Sequence, residues 1–146
     1  MDPAKTACET LLQATLPFAH QCLQRYGEFY PFGAVMTAAG EVVLVGGTAD
    51  SDMPLSADVI ERLRDGFIQG ATRGEYAATA LVYDSRLKLA PDASKSDAIT
   101  ICLDHCDDYS VVIYYPYHLD NGQLTLDDCI QQHGAFAIFP SRPPVN

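Results

Sequence analysis

From Tyr76 to Phe139 the chain is a succession of strand-like runs with short connections, and this half of the sequence limits the fold more than any other feature. The runs are Tyr76 to Leu87, Ala98 to Cys106, Tyr109 to His118, Gln123 to Leu126 and Ala135 to Phe139, each rich in β-branched and aromatic residues. The breaks fall at Pro91 to Asp97, at Asp107-Asp108 and at Asp120-Asn121-Gly122, where Asn121-Gly122 suits a tight hairpin. A parallel return needs a crossover of about a dozen residues, so these connections predict antiparallel neighbours.

The first half supplies helices and one hairpin. Asp2-Pro3 and Thr6-x-x-Glu9 are both helix starts, and Leu12, Leu16, Ala19, Cys22, Leu23 and Tyr26 keep helical spacing up to Gly27. Pro17 removes one backbone donor from this helix, which predicts a kink or a break near Thr15. Gly33 to Thr37 and Glu41 to Val45 read as two strands around a loop with Gly40 left-handed. A second helix opens at Pro54-Leu55-Ser56, with Ser56 as cap and Leu55 stapled onto Ile60, and ends at Gly74. Its buried stripe is Val59, Ile60, Leu63, Phe67 and Ala71, with Gly66 and Gly70 beside it, where a side chain would hold the helix off a sheet.

The expected fold is therefore α+β, in the order α-β-β-α-β-β-β. It has a mostly antiparallel sheet of five to seven strands and two main helices packed on one face. At 146 residues and 48% hydrophobic composition, residues 1–146 fit one domain with one core, and the proline-rich tail 140–146 is expected to fray.

Charge narrows the partners. A formal net charge of -10 argues against nucleic acid, whose phosphates are neutralised by Lys and Arg, and leaves a basic protein as the natural charged partner. The beginning of the chain has no secretory pattern, no run reaches membrane-spanning length, and the five cysteines are odd in number and irregularly spaced. Together these features suggest reduced thiols and a cytoplasmic protein without membrane association.

No coherent catalytic set emerges. Cys102, Asp104 and Cys106 would share one strand face and could offer two thiolates and a carboxylate to a metal, but no second Cys or His pair completes the set. His105 would point the other way. Neither metal nor cofactor is expected: Gly46-Gly47 lies about ten residues ahead of its helix and lacks the Lys-Ser/Thr of a phosphate loop. Glu28, Asp84 and Asp104 sit at or near element ends where carboxylates could line a pocket, and Glu75 is a further carboxylate of that kind. The run Tyr109, Tyr114, Tyr115, Pro116, Tyr117 puts Tyr109, Tyr115 and Tyr117 on one face, where rings either join a core or form a binding surface. Pro116 suggests a sheet edge or bulge.

Four segments resemble a group of small uncharacterised bacterial proteins: Gly27 to Ala34, Ala80 to Asp84, Asp97 to His105 and Tyr114 to Tyr117. That resemblance brings no activity with it. By analogy, small acidic single domains of this kind look like immunity proteins, which neutralise a toxin by binding it. The element order is also similar to profilin-like and roadblock-like modules, although no C-terminal helix is evident. The leading expectation is a non-enzymatic protein-binding module, immunity-type or regulatory, engaging a basic partner through Tyr109, Tyr115, Tyr117, Glu28, Asp84, Asp104 and His105. The alternatives are a small-molecule-sensing module with a pocket between helix and sheet, and a small hydrolase using Cys102 and His105.

Overall fold

The computed structural model describes residues 2–46, 56–88 and 95–139. Within them the order is α1 (Pro3–Tyr26), β1 (Phe32–Thr37), β2 (Val42–Gly46), α2 (Ser56–Thr72), β3 (Tyr76–Lys88), β4 (Lys95–His105), β5 (Tyr109–Asp120), β6 (Gln123–Leu126) and β7 (Ile130–His133). All pairings are antiparallel. The sheet runs β2-β1-β3-β4-β5, and the outer edge of β5 is divided between β7, along Val111 to Tyr114, and β6, along Tyr117 to Asp120. The α+β class, the antiparallel sheet and the α-β-β-α-β-β-β order all hold, with β6 and β7 extending the series.

The two helices, however, lie on opposite faces of the sheet rather than on one. Ala34, Ala78, Ala80, Val82, Ile99, Ile101 and Leu103 pack with Cys8, Leu11, Ala19 and Leu23 of α1. The intervening residues Val35 and Leu81, together with Cys102, pack with Val59, Leu63 and Phe67 of α2. Side chains alternate across a strand, so the central strands must be apolar on both faces, and they are.

Asp2 caps α1 through its side chain, which accepts the Ala4 N–H at 3.0 Å, and Pro3 occupies the first turn. Helix α1 runs unbroken through Pro17, correcting the expected break. Thr15 is buried there, and its hydroxyl donates to the carbonyls of Leu11 and Leu12 at 2.8 and 3.3 Å. The buried stripe is Ala4, Cys8, Leu11, Thr15, Ala19 and Leu23, so Tyr26, expected on the inner face, is instead 67% exposed. Gly40 takes the left-handed φ of 92° expected of the β1–β2 loop. Val59, Leu63 and Phe67 form the buried stripe of α2 with Ile60 and Ala71 at its margin, and left-handed Gly74 follows the helix. The staple expected at Leu55 lies outside the described residues, as does the tail 140–146.

Two strand boundaries differ from expectation. β4 begins at Lys95, where a loop to Asp97 was expected. The last strand is the polar Ile130–His133, whereas 135–139 forms no strand and lays Ile138 and Phe139 onto the α2 face. Edge pairing requires only backbone groups, while burial selects the apolar segment. Pro116 is buried and lies at the changeover from β7 to β6, where its carbonyl accepts the Asp127 N–H at 2.8 Å.

Candidate functional site

At the end of α1, Gly27 adopts φ 75° and donates its N–H to the Leu23 carbonyl at 2.9 Å, turning the chain out of the helix. Residues 28–31 then lead into β1. Phe18, Tyr26, Glu28, Phe29 and Tyr30 wall a groove of about 480 Å³ that reaches Gly46 at the end of β2. Phe32 forms its floor, edge-on to Phe18 with ring centroids 4.9 Å apart and to Phe29 at 5.9 Å. Arg25 stands over the Tyr26 ring at 5.6 Å.

The groove continues into an open strand. Among the described residues β2 pairs only with β1, through registers such as Gly33 with Val45 and Val35 with Val43. Its outer edge carries Val42, Val43 and Leu44, which are 38, 45 and 53% exposed. Successive strand residues point to opposite faces, so exposure of all three leaves both faces of β2 open along Val42 to Leu44, while Val45 packs against the α2-side cluster. An exposed apolar edge of this kind is a template for another strand.

Of the residues singled out from sequence, only Glu28 lies in this groove. Tyr109 and Tyr115 are half-buried against the α1-side core and Tyr117 is 6% exposed, so the tyrosine face is core and not open surface. The Tyr117 hydroxyl donates to Asp84 Oδ1 at 2.9 Å. Burial of the Asp84 carboxyl raises its pKa, and the hydrogen bond from Tyr117 opposes that rise. The sequence signal missed for the groove was Phe18, Tyr26 and Tyr30, whose distance from one another along the chain hides their convergence around the Gly27 turn.

Asp104 and His105 are both buried, on opposite faces of β4. Cys102 shares the face of Asp104, so the Cys102–His105 pair required by a thiol nucleophile is not assembled. Burial also pushes the Cys102 pKa up, partly offset by the Tyr83 hydroxyl at 3.9 Å from Sγ, which favours the unreactive thiol. Cys106 lies in the β4–β5 turn and is exposed, so it does not join Cys102 and Asp104. Instead, ligand atoms of His105, Cys106 and Asp107 lie within 4.8 Å of one another. His105 Nδ1 already accepts the Asp107 N–H at 2.9 Å, which commits that nitrogen.

Around Asp104, several elements converge on the α2 face. Arg64 of α2, Tyr83 of β3, Cys102 of β4, Ser110 of β5 and Ile138 line one cavity of about 210 Å³ with it. Asp104 is 5% exposed, and its Oδ1 has no hydrogen-bond partner among the described residues. Desolvation raises its pKa, while a hydrogen bond from Ser110 and the charge of Arg64 hold the rise down. The Ser110 hydroxyl also accepts the Phe136 N–H at 3.2 Å, and Gly134 donates its N–H to the Ser110 carbonyl at 3.0 Å, tying the C-terminal segment over the cavity.

Asp104→Asn tests this environment. Because the native carboxyl holds its proton more tightly than the unfolded one, its contribution to stability is full below the unfolded value near 3.8 and is lost as pH rises through the native pKa. The substitution is expected to stabilise the fold by about 1 kcal/mol at neutral pH, with the gain vanishing in acid. Urea unfolding at several pH values measures it, and a gain independent of pH would show that Asp104 is not the titrating group.

Comparison with protein-family models, with curated proteins and with solved structures finds no match to this chain.

Proposed function

We propose that this chain is a non-enzymatic binding protein, cytoplasmic and of the immunity or regulatory type, that takes up an extended segment of a basic protein partner along β2. The observation that carries the reading is the exposure of Val42, Val43 and Leu44 together on an edge strand. Strand addition supplies affinity through backbone hydrogen bonds and specificity through pockets for alternate side chains. Here the aromatic groove beside Gly46 is the pocket for an anchor side chain at one end of the added strand. Exposed Glu28 and Glu41 flank the apolar stretch, and a net charge of -10 favours a partner carrying Lys or Arg around its own apolar residues. No helix among the described residues is long and apolar enough to cross a membrane.

The test compares the wild-type chain with Leu44→Pro and with Tyr26→Ala as baits in native lysate at low and moderate salt. Thr37 donates its N–H to the Glu41 carbonyl, so by alternation the Val43 N–H faces β1 and the Leu44 N–H faces the free edge. Leu44→Pro removes that edge N–H at an exposed residue, and is expected to reduce capture of a salt-sensitive partner by tenfold or more, roughly the loss of one or two hydrogen bonds. Tyr26→Ala is expected to weaken it less. A partner retained equally by both variants would place the interface elsewhere. Sedimentation of the chain alone, showing dimers that Leu44→Pro disperses, would reassign the edge to self-association.

A further inference from the structure

The cavity around Asp104 lies on the α2 face, away from the groove, and its chemistry calls for a different ligand. An ionised carboxylate only accepts hydrogen bonds, and Oδ1 of Asp104, a residue 5% exposed to solvent, is an acceptor left without a donor among the described residues. The neighbouring polar groups are already engaged: Tyr83 with Cys102, and Ser110 with Asp104 and Phe136. Around them Leu81, Val112 and Ile138 supply apolar wall. The dimensions limit the occupant, since about 210 Å³ falls below the space that drug-sized ligands and cofactors fill. A nucleotide or a flavin does not fit.

We infer that this cavity is a binding site for a small primary ammonium compound with a short aliphatic body, the ammonium donating to Asp104 Oδ1 and the aliphatic part lying against Leu81, Val112 and Ile138. A charged donor facing a buried carboxylate is the strongest pairing the site can make. Two sources share this chemistry. A simple alkylamine would use Asp104 alone, whereas an aliphatic amino acid would in addition present its carboxylate to Arg64, which lines the same cavity from α2. The C-terminal segment covers the site. A Cβ on Gly134 would collide with the Ser110 hydroxyl, so glycine lets this segment close directly over β5.

The experiment is a titration of the isotope-labelled full chain with n-butylamine hydrochloride and, separately, with L-valine, followed by amide resonances. Saturable shifts centred on Ser110, Gly134 and Phe136 are expected with at least one probe. Butylamine alone would identify an amine site. Valine alone would identify an amino-acid site, in which Arg64→Gln then weakens binding. In Asp104→Asn the affinity is expected to fall roughly ten- to hundredfold while the spectrum stays dispersed. Val112→Phe, which fills the cavity, is expected to abolish the shifts. No saturable shift with either probe, or shifts that survive Asp104→Asn, would overturn the assignment. Leu44→Pro should leave the titration unchanged, so a failure here and a failure of the strand-addition reading are separable.

Discussion

Gly33→Ala is expected to destabilise the fold by about 3 kcal/mol, or roughly 10 °C in Tm. Gly33 sits on β1 between β2 and β3, opposite Leu81, with Phe67 of α2 directly above it. An added Cβ would fall inside contact distance of the Ala80 carbonyl oxygen and 2.8 Å from Phe67 Cζ. The carbonyl belongs to a central strand held on both sides, so it has no free rotation with which to give way. Relief would require separating β1 from β3 or lifting α2 from the sheet. The control is Gly66→Ala, on the exposed side of α2 with nothing within 4 Å of its added Cβ. There alanine is expected to stabilise by about 0.5–1 kcal/mol through helix propensity alone. If the two substitutions behave alike in thermal unfolding, the close packing of α2 on β1 is wrong.

This pair of glycines also shows what was legible from sequence and what was not. Gly66 was read, with Gly70, as a place where a side chain would hold α2 off the sheet, but an added Cβ there meets nothing within 4 Å; Gly33 was read only as a strand residue, yet it is where α2 comes close. Periodicity locates the stripe of α2 but does not say on which side of the sheet the stripe lands. The same ambiguity placed both helices on one face. A signal against that was present in Ala78-Thr79-Ala80-Leu81-Val82, a run without polar alternation, which fits a strand covered on both faces. The meander from Tyr76 onward was readable because short turns leave antiparallel pairing as the simple solution. The final strand was misplaced because apolar content at Ala135 to Phe139 was taken as strand content, when those residues cover a face and Ile130–His133 does the pairing. For the sites, Asp104 stood out as a carboxylate, but its surroundings come from α2, β3, β5 and the C-terminal segment. Such convergence is a property of topology and leaves no local pattern.

Leu23→Ala separates the fold from the proposed interface. Leu23 is 0% exposed, in the same core cluster as Leu11, Ile101 and Ile113, next to Cys22 and about one helical turn from Tyr26 at the groove. Truncating it removes buried methyl groups and leaves a cavity that rigid β-sheet neighbours fill poorly, with an expected loss of about 3 kcal/mol within a usual range of roughly 2–5. Tyr26→Ala, by contrast, changes a ring that is 67% exposed and is expected to move stability by less than about 0.5 kcal/mol. The two residues lie three positions apart on one helix, so the comparison holds local helix context nearly constant. Urea unfolding should therefore rank Leu23→Ala far below Tyr26→Ala, and partner capture at temperatures where both are folded should rank them the other way. Equal stability losses would mean that the buried stripe of α1 has been assigned to the wrong side. Equal capture by Tyr26→Ala and the wild type would mean that the aromatic groove is a surface feature without a role, leaving the β2 edge to carry binding alone.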